Sequence, residues 1–545
     1  MGFTASAPPR RRPAFGAVIR SGPVERASRS STLSIAGFAA GVAATAFVAS
    51  VPGSPLQPAL PAGVTAGGPF AWLADIAGVD GLHGTALVTA SVLCVTGSMA
   101  AFVFVLREAW RGAVSVKTVV ILAVVAHAVV LTLPLLVSRD VYSYIAYGNI
   151  AGLHHVNPYI RTPADFPLDA VAPLVGPKWF STSAVYGPLF TDLAAVVVRT
   201  VRGLPAQVEA FRWTAAAASL ATVALIASTA RRIRPSRAAF AVAAFGLNPV
   251  VLFQSVASGH NDLLLAVAVA GAFASVLARR ELVAVAILAL ATLVKVTAAL
   301  PLLLLIVWCV ARSPSGRRTR VLATHAGTAA AIGALVAAPF LSLHDPTLGA
   351  LELAGHEGWL APSRFFRRLL DALSGDALGI LARVAFAVAL MVCVGVLART
   401  VWRAGRRDGD RTGPGAAVEL AAAWGWSLLL LMLLGPILLP WYVAWALPIA
   451  WVLPRTPRRV LLATSVALGV SQWTAEPGRF PGAYDTNVLI GHYAITPVVI
   501  ALLGWLLLDG WRRWRDGLPA NDADPVAEPG GEQGGDRGAR AAGER

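Results

Sequence analysis

Acidic and phenolic side chains cluster between Ser138 and Tyr159, in the segment SRDVYSYIAYGNIAGLHHVNPY. Asp140, Tyr144 and Tyr147 are spaced i, i+4 and i+7, which places one carboxylate and two phenols on one stripe of a short helix. A carboxylate beside aromatic rings at the water edge of a membrane suits a site where a polar group attached to a lipid is processed. The alternative is that Asp140 caps the helix and that the tyrosines are interfacial anchors.

The apolar run before this segment places it at a membrane surface. Residues 118–137 form an unbroken apolar stretch of about the ~20 residues that cross the hydrocarbon core of a bilayer. Asp140 follows directly. Further along, Asn157 and Tyr159 flank a proline that turns the chain, and both are candidates for binding a substrate.

A second polar cluster, Ser258-Gly259-His260-Asn261-Asp262, opens another apolar run. Asn261 or Asp262 could act only as an N-cap. His260, Asn261 and Asp262 together exceed what capping requires, and polar groups at membrane depth usually mark a site or a pathway. The pattern therefore favours a functional role over a capping role.

Lys295 is a lone cation between two apolar stretches. At the bilayer centre a lysine costs ~3 kcal/mol, which snorkelling to the interface largely removes. An ammonium at that depth is also well placed to bind a lipid phosphate. The sequence does not separate these two interpretations.

The loop of residues 342–376 is predicted to lie outside the membrane, and it carries several arginines, among them Arg364. Arginines there run against the usual charge bias and indicate an anionic ligand, because a guanidinium binds phosphate in a bidentate manner.

Two other motifs favour simpler interpretations. Tyr186-Gly187-Pro188 predicts a helix start, and the tryptophans of PWYVAW (440–445) predict an interfacial belt.

Composition limits the class of protein. Of 545 residues, 56% are hydrophobic and 14% are charged, and the mean hydropathy is +0.66. Apolar runs long enough to enter a bilayer repeat along the chain, which predicts an all-α, polytopic transmembrane helical bundle of roughly 13–15 membrane segments with extracytoplasmic loops. The net charge of +16 does not indicate nucleic acid binding, because the basic residues lie in short clusters between apolar runs. The three cysteines fall inside apolar runs, so the sequence predicts neither disulfides nor a cysteine metal site.

The domain organisation follows from the same pattern. Residues 1–30 are predicted to be a disordered basic cytoplasmic arm, and residues 516–545 a disordered cytoplasmic tail. Residues 31–515 are predicted to form the transmembrane domain, with a hydrophilic loop over 138–186. Counting back from the basic clusters puts this loop and the cluster at 258–262 on the extracytoplasmic side.

Two stretches do not fit a simple pattern in which successive loops alternate between the two sides of the membrane. We expect residues 187–201 not to cross the membrane fully, because an odd number of crossings must separate Asp140 from the basic cluster at 231–237. Residues 281–311 would make a single helix ~46 Å long, so they predict a hairpin with its tip near Lys295.

Taken in order, DVYSYIAYGNI, NPY, YGP, LNP…SGHND, the intramembrane lysine and PWYVAWALP resemble the GT-C glycosyltransferases that use polyprenyl-phosphate sugars. Within these, the pattern is most similar to the actinobacterial polyprenol-phosphomannose-dependent α-1,6-mannosyltransferases. The resemblance covers roughly residues 118–455 and implies that 138–186 is the catalytic loop and that Asp140 is its catalytic carboxylate. Many GT-C enzymes have an acidic pair at this place, whereas this chain has Arg139-Asp140-Val141-Tyr142, which puts a metal-binding DxD role in doubt.

The resemblance implies transfer of a sugar, expected to be mannose, from a lipid-linked donor to a cell-envelope glycan or glycolipid acceptor, with inversion. The plasma membrane is the expected location. No cofactor is expected to be required, and a divalent metal shared by Asp140 and Asp262 is the less favoured alternative. The competing function is a secondary transporter or lipid-linked-sugar flippase, which predicts internal repeats with paired broken helices. The sequence has no convincing repeat.

Overall fold

Helices make up the regular structure of the described part of the chain, in agreement with the predicted all-α class. The structure is a computed structural model that describes residues 29–61, 83–342, 348–349, 355–375, 378–407, 414–475 and 479–516. The predicted arm and tail therefore lie outside the described residues except at their inner ends. The α-helices of at least nine residues are α1 (Arg29–Ser50), α2 (Gly84–Trp110), α3 (Val116–Leu131), α4 (Asp140–Gly152), α5 (Pro188–Thr200), α6 (Leu204–Ile233), α7 (Ala238–Gly246), α8 (Asp262–Leu277), α9 (Glu281–Thr292), α10 (Ala299–Arg312), α11 (Arg318–Ala337), α12 (Pro362–Ser374), α13 (Gly379–Arg407), α14 (Pro414–Leu434), α15 (Arg455–Val470), α16 (Pro481–Ile490) and α17 (Thr496–Asp516).

Eight helical segments of the described chain are long and apolar enough to cross a membrane, and four shorter apolar helices accompany them. Only 6% of the most apolar stretch of α11, and of α13, is buried within the protein. Such apolar surfaces need lipid around them, because water would make their exposure costly. The prediction of a polytopic membrane protein is confirmed.

The helix before Asp140 is shorter than predicted. The apolar run extends to Val137, but α3 ends at Leu131 after 16 residues. Pro134 lacks an N–H and disfavours helical geometry in the residue before it, so the helix stops. The remaining residues run as buried irregular chain to Asp140, and the Val137 N–H bonds the carbonyl of Leu56.

Residues 281–311 form two helices rather than one, as predicted. Helix α9 ends at Thr292 and α10 begins at Ala299, with Lys295 in extended conformation between them. The two helices pack against each other. This break leaves Lys295 at the tip of a hairpin.

The run from Trp441 is not the α-helix that its apolar character suggests. It forms two buried 3₁₀ helices, Pro440–Trp445 and Leu447–Val452. Proline at the first or second position of each piece prevents a continuous α-helix through this stretch. The 3₁₀ geometry sets the direction of the aromatic side chains described below.

Helix α5 has the limited length expected of a segment that does not cross the membrane. Its 13 residues span about 20 Å at 1.5 Å per residue, against a hydrocarbon core of about 30 Å. It packs along α4. Gly148 and Gly152 of α4 meet the backbone of α5 so closely that a Cβ at either position would press on it. The close approach of α5 holds the helix that begins with Asp140.

Candidate active site

A cavity of about 300 Å³ lies where several chain breaks meet. These are the start of α4, the turn before α8, the break between α9 and α10, and the residues just before and within the 3₁₀ helix Pro440–Trp445. Five of the predicted site residues line it: Asp140, Tyr144, Asn261, Asp262 and Lys295. The structure thus brings together groups that lie up to 155 positions apart in the sequence.

Asp140 is the first residue of α4 and not its N-cap. The residue before it, Arg139, occupies the cap position, and Ser138 Oγ accepts a hydrogen bond from the Asp140 N–H at 3.1 Å. The Asp140 side chain remains 18% exposed, and its Oδ2 lies 3.5 Å from Nδ1 of the buried His260. The His260 ring stacks on Trp441 with the centroids 4.0 Å apart. The carboxylate is therefore held beside an imidazole whose plane is fixed by stacking.

The turn at 258–260 is tied to the irregular chain that leads to Asp140. Ser258 Oγ donates a 2.7 Å hydrogen bond to the carbonyl of Leu136. Gly259 has φ +68°, a conformation that favours glycine and lets the chain turn sharply into α8. These two features bring His260 to Asp140.

Asp262 does not cap α8, contrary to one of the sequence-based interpretations. Asn261 holds the cap position without a side-chain cap bond, and Asp262 is the first helical residue. The Asp262 Oδ1 accepts hydrogen bonds from Lys295 Nζ at 2.7 Å and from Trp445 Nε1 at 2.5 Å. Because Asp262 and Lys295 are both buried, they form a buried ion pair at the base of the cavity.

The PWYVAW aromatics are part of this site and not of an interfacial belt, so that prediction is wrong. Trp441, Tyr442 and Trp445 are all buried, and the first two line the cavity. In a 3₁₀ helix the side chains at i and i+3 eclipse, and Tyr442 and Trp445 accordingly stack with centroids 4.1 Å apart. Lys295 Nζ lies 4.6 Å from the centroid of the Tyr442 ring.

Tyr144 is a fully buried phenol that lines the cavity. Its ring makes edge contacts with Tyr186, Phe190 and Phe211 at centroid distances of 4.8 to 5.5 Å. Burial, with the nearby negative charge of Asp140, raises the pKa of the Tyr144 phenol well above its ordinary value. Tyr144 is therefore protonated at neutral pH, when its hydroxyl is a hydrogen-bond donor.

The Tyr186-Gly187-Pro188 motif begins α5, as predicted, and it also contributes to the site. The Gly187 N–H bonds the carbonyl of Val294 at 3.0 Å, and a Cβ at Gly187 would collide with the Leu293 carbonyl. The start of α5 thus docks on the break that carries Lys295. Tyr186 lines the cavity.

Besides His260, which contacts Asp140 without lining the cavity itself, four of the predicted binding residues do not line the cavity. Tyr147 donates to the carbonyl of Thr182 at 3.0 Å, Asn157 donates to that of Phe340 at 2.8 Å, and Tyr159 donates to that of Tyr186 at 2.6 Å. The bonds of Tyr147 and Tyr159 join parts of the 138–186 loop to each other, and the bond of Asn157 joins this loop to Phe340. A buried phenol or amide requires such a partner. Arg364 lies partly buried in the first turn of α12, also away from the cavity lining.

Several lining residues were not predicted as site residues, among them Lys178, Trp179 and Tyr484. For Lys178 the composition of the chain does contain a signal. The 45 basic residues include only three lysines, Lys117, Lys178 and Lys295, and two of the three line the cavity. The rarity of lysine in this arginine-rich chain could therefore have indicated Lys178 as a site residue.

Glu357 adds a third carboxylate to the cavity lining, and it is paired with two arginines. It accepts hydrogen bonds from Arg367 Nε at 2.9 Å and Arg383 Nε at 2.6 Å. Partial burial raises the pKa of Glu357, but the two guanidinium groups outweigh that effect and hold its pKa below the ordinary value. Glu357 is therefore an anion with two cationic partners.

Across the described residues, no three of the histidine, cysteine, aspartate and glutamate side chains gather as a metal-binding group. Asp140 and Asp262 face the same cavity, but the Asp262 carboxylate is neutralised by Lys295. A hard divalent cation prefers several free oxygen ligands, and this donor set offers it few.

Residues 35–312 match the family model described as alpha-(1→6)-mannopyranosyltransferase, N-terminal domain. The matched residues make up more than half of the chain and include Asp140, His260 and Lys295. The chain belongs to this family. It is a membrane mannosyltransferase, as the order of its motifs implied, and the transporter or flippase alternative is displaced.

A curated relative is similar over most of this mannosyltransferase. The alpha-(1→6)-mannopyranosyltransferase A of Mycobacterium tuberculosis (strain ATCC 25618 / H37Rv) is 27% identical over 448 residues, which cover 78% of this chain and 82% of the relative. No solved structure matches the chain.

Proposed function

We propose that the protein transfers a mannosyl group from a polyprenyl-phosphate donor to a hydroxyl of a cell-envelope glycan or glycolipid, forming an α-1,6 linkage with inversion. The reaction takes place at the extracytoplasmic face of the plasma membrane. The observation that carries the proposal is the cavity that holds the Asp140 carboxylate and the cations Lys178 and Lys295 together. A base for an acceptor and cations for a phosphate are the two requirements of this transfer.

In this proposal Asp140 is the general base. The acceptor hydroxyl attacks the anomeric carbon, its proton passes to the Asp140 carboxylate, and the bond from the anomeric carbon to the phosphate oxygen breaks. Polyprenyl phosphate leaves with the electron pair of that bond. A positioned base of this kind contributes about 10²- to 10⁴-fold.

His260 serves as a positioning residue in this scheme. Its Nδ1 faces Asp140 at 3.5 Å, and its stacking on Trp441 prevents the ring from rotating away. Lys178 and Lys295 would stabilise the negative charge that develops on the departing phosphate. Asn261 lines the cavity, and within the described part of the chain neither polar atom of its amide has a hydrogen-bond partner. It is well placed to bond a sugar hydroxyl.

The proposed sidedness is supported by where the basic clusters meet. Arg107, Arg237 and Arg459 belong to three clusters that the charge bias assigns to the cytoplasm, and all three line one cavity in the structure. That cavity adjoins the start of α3, whereas Asp140 follows its end. The 16 residues of α3 separate the two by about 24 Å.

We propose further that the transfer needs no metal. The Asp262 carboxylate accepts hydrogen bonds from the Lys295 ammonium and the Trp445 indole, so we assign the role of base to Asp140, which lines the same cavity at the start of α4. The lysines supply the positive charge that a metal would otherwise bring.

The test is transfer from radiolabelled polyprenyl-phosphomannose to a short α-mannan acceptor by the purified full chain. Asp140→Asn should lower turnover by about 10²-fold or more while donor binding persists, because the amide keeps the shape but cannot take a proton. The matched control is Asp165→Asn in the same loop, whose carboxylate bonds the Thr162 N–H in an exposed turn. Near-normal turnover in Asp140→Asn, or an equal loss in Asp165→Asn, would contradict the assignment.

A further inference from the structure

A second cavity, of about 530 Å³, lies at the opposite end of α3 from Asp140. It is formed by the end of α2, the residue that precedes α7 and the first turns of α15. No carboxylate is among its described lining residues. Five arginines line it: Arg107, Arg237, Arg455, Arg458 and Arg459. We propose that this cavity binds the phosphate of an anionic membrane lipid.

Aromatic stacking organises the arginines around the cavity. The Arg237 guanidinium lies 3.5 Å from the centroid of the Trp110 ring, and that of Arg458 lies 4.4 Å from the same centroid. Arg237 also donates to the Trp110 carbonyl at 2.9 Å. Arg458 is only 7% exposed and donates to the carbonyl of Leu453. Two of the five cations are therefore held in fixed positions and not left to move in solvent.

The general bias of cytoplasmic loops toward arginine does not account for this arrangement. That bias places basic residues on one side of the membrane, whereas here three segments far apart in the sequence converge on one concavity. Five guanidinium groups around one concavity give it a positive potential that attracts an anion. Planar guanidinium groups match the oxygens of a phosphate in bidentate fashion.

The rest of the lining favours a lipid over a free ion. Val103, Leu106, Phe240 and Leu462 also line the cavity, and Val103 is 42% exposed on a membrane-spanning helix. An apolar wall that continues onto the outer surface of α2 suits an acyl chain. Basic pockets between transmembrane helices on the cytoplasmic side are typical sites for acidic lipid headgroups.

The test uses native mass spectrometry of the full chain in detergent, titrated with dioctanoyl phosphatidylglycerol. Dioctanoyl phosphatidylcholine is the neutral comparison, and inorganic phosphate is added as a competitor. Arg455→Gln with Arg459→Gln removes two exposed members of the site. The matched control is Arg403→Gln with Arg406→Gln, because these two exposed arginines lie near the end of α13 and outside the cavity.

We expect one tightly bound phosphatidylglycerol, weaker binding of phosphatidylcholine and no displacement by millimolar phosphate. Loss of two arginines should weaken phosphatidylglycerol binding by roughly 30-fold, whereas the control should match the wild type. Size-exclusion profiles of both double variants check that they are folded, and the single variant Arg455→Gln provides the same readout with a loss of about fivefold. Equal binding of the two lipids, or an equal loss in the control, would overturn the proposal. Displacement by phosphate at the lipid's own concentration would overturn the lipid as the source and assign the site to a free phosphate.

Discussion

Replacing Lys295 by methionine removes the ammonium that hydrogen-bonds the Asp262 carboxylate at 2.7 Å. The Lys295 side chain is 8% exposed and that of Asp262 is 1% exposed, so water cannot take the place of the lost cation. Removing one partner of a buried pair typically costs about 3 to 5 kcal/mol, because the other charge is left buried without compensation. We therefore expect Lys295→Met to lower the free energy of unfolding by this amount.

The measurement is equilibrium unfolding of the purified chain in mixed detergent micelles, titrated with sodium dodecyl sulfate. The double variant Asp262→Asn with Lys295→Met removes both charges and keeps an oxygen that can accept from Trp445 Nε1. Its unfolding free energy should return to within about 1 kcal/mol of the wild type, since neutral replacement of a buried pair is often close to neutral. Donor KM measured on the same double variant separates the two roles of Lys295. If Lys295 also binds the donor phosphate, stability recovers but the donor KM remains raised.

Two results would refute this reasoning. An unfolding free energy for Lys295→Met within ~0.5 kcal/mol of the wild type would show that the pair is not buried as described. A double variant as unstable as the single one would show that the loss comes from packing of the lysine stem and not from the unpaired carboxylate. A double variant with normal stability and a normal donor KM would leave Lys295 as a structural residue.

Four further predictions follow from the same geometry. His260→Ala should lower kcat by about 10- to 100-fold without removing the base itself. Activity of the wild type should survive EDTA, and a loss of activity in chelator that Mn²⁺ restores would contradict the metal-independent scheme. With the native cysteines replaced by alanine, Leu168→Cys should react with a membrane-impermeant maleimide on intact cells and Arg459→Cys only after permeabilisation, and the reverse pattern would overturn the proposed sidedness. Gly187→Ala should lower the free energy of unfolding by about 1 to 3 kcal/mol, because the new Cβ meets the Leu293 carbonyl; an unchanged transition would argue against that close approach.

Much of the fold was predictable because a bilayer constrains sequence strongly. Membrane-spanning backbone must satisfy its own hydrogen bonds, so apolar runs of sufficient length become helices. The two helices of 281–311 were predictable from the length of the run, and the limited reach of α5 from the odd number of crossings that the charge pattern requires. The effect of prolines on where helices end and on helix type was not predicted. Pro134 ended α3 early, and prolines made the run from Trp441 into 3₁₀ helices.

The sequence by itself predicted that Asp140 lies at a membrane surface, and the resemblance of its motifs to a known family implied that it acts as the base. Asp140 follows an apolar run and opens a helix, and these are local properties of the chain. Order and spacing of the motifs also identified the family. Neither required knowledge of what lies across the bundle.

Only the tertiary structure decided which residues share the cavity with Asp140. Asp262 and Lys295 are 33 positions apart, and Trp445 lies 183 positions beyond Asp262. Pairing at such separations depends on how helices pack, and no local periodicity encodes it. For the same reason the sequence favoured an interfacial belt for tryptophans that the fold buries. It also favoured a binding role for Asn157 and Tyr159, which bond the carbonyls of Phe340 and Tyr186 instead. A side chain's type sets what chemistry it can perform, whereas its partners, supplied by the packed fold, set whether it is free to perform it.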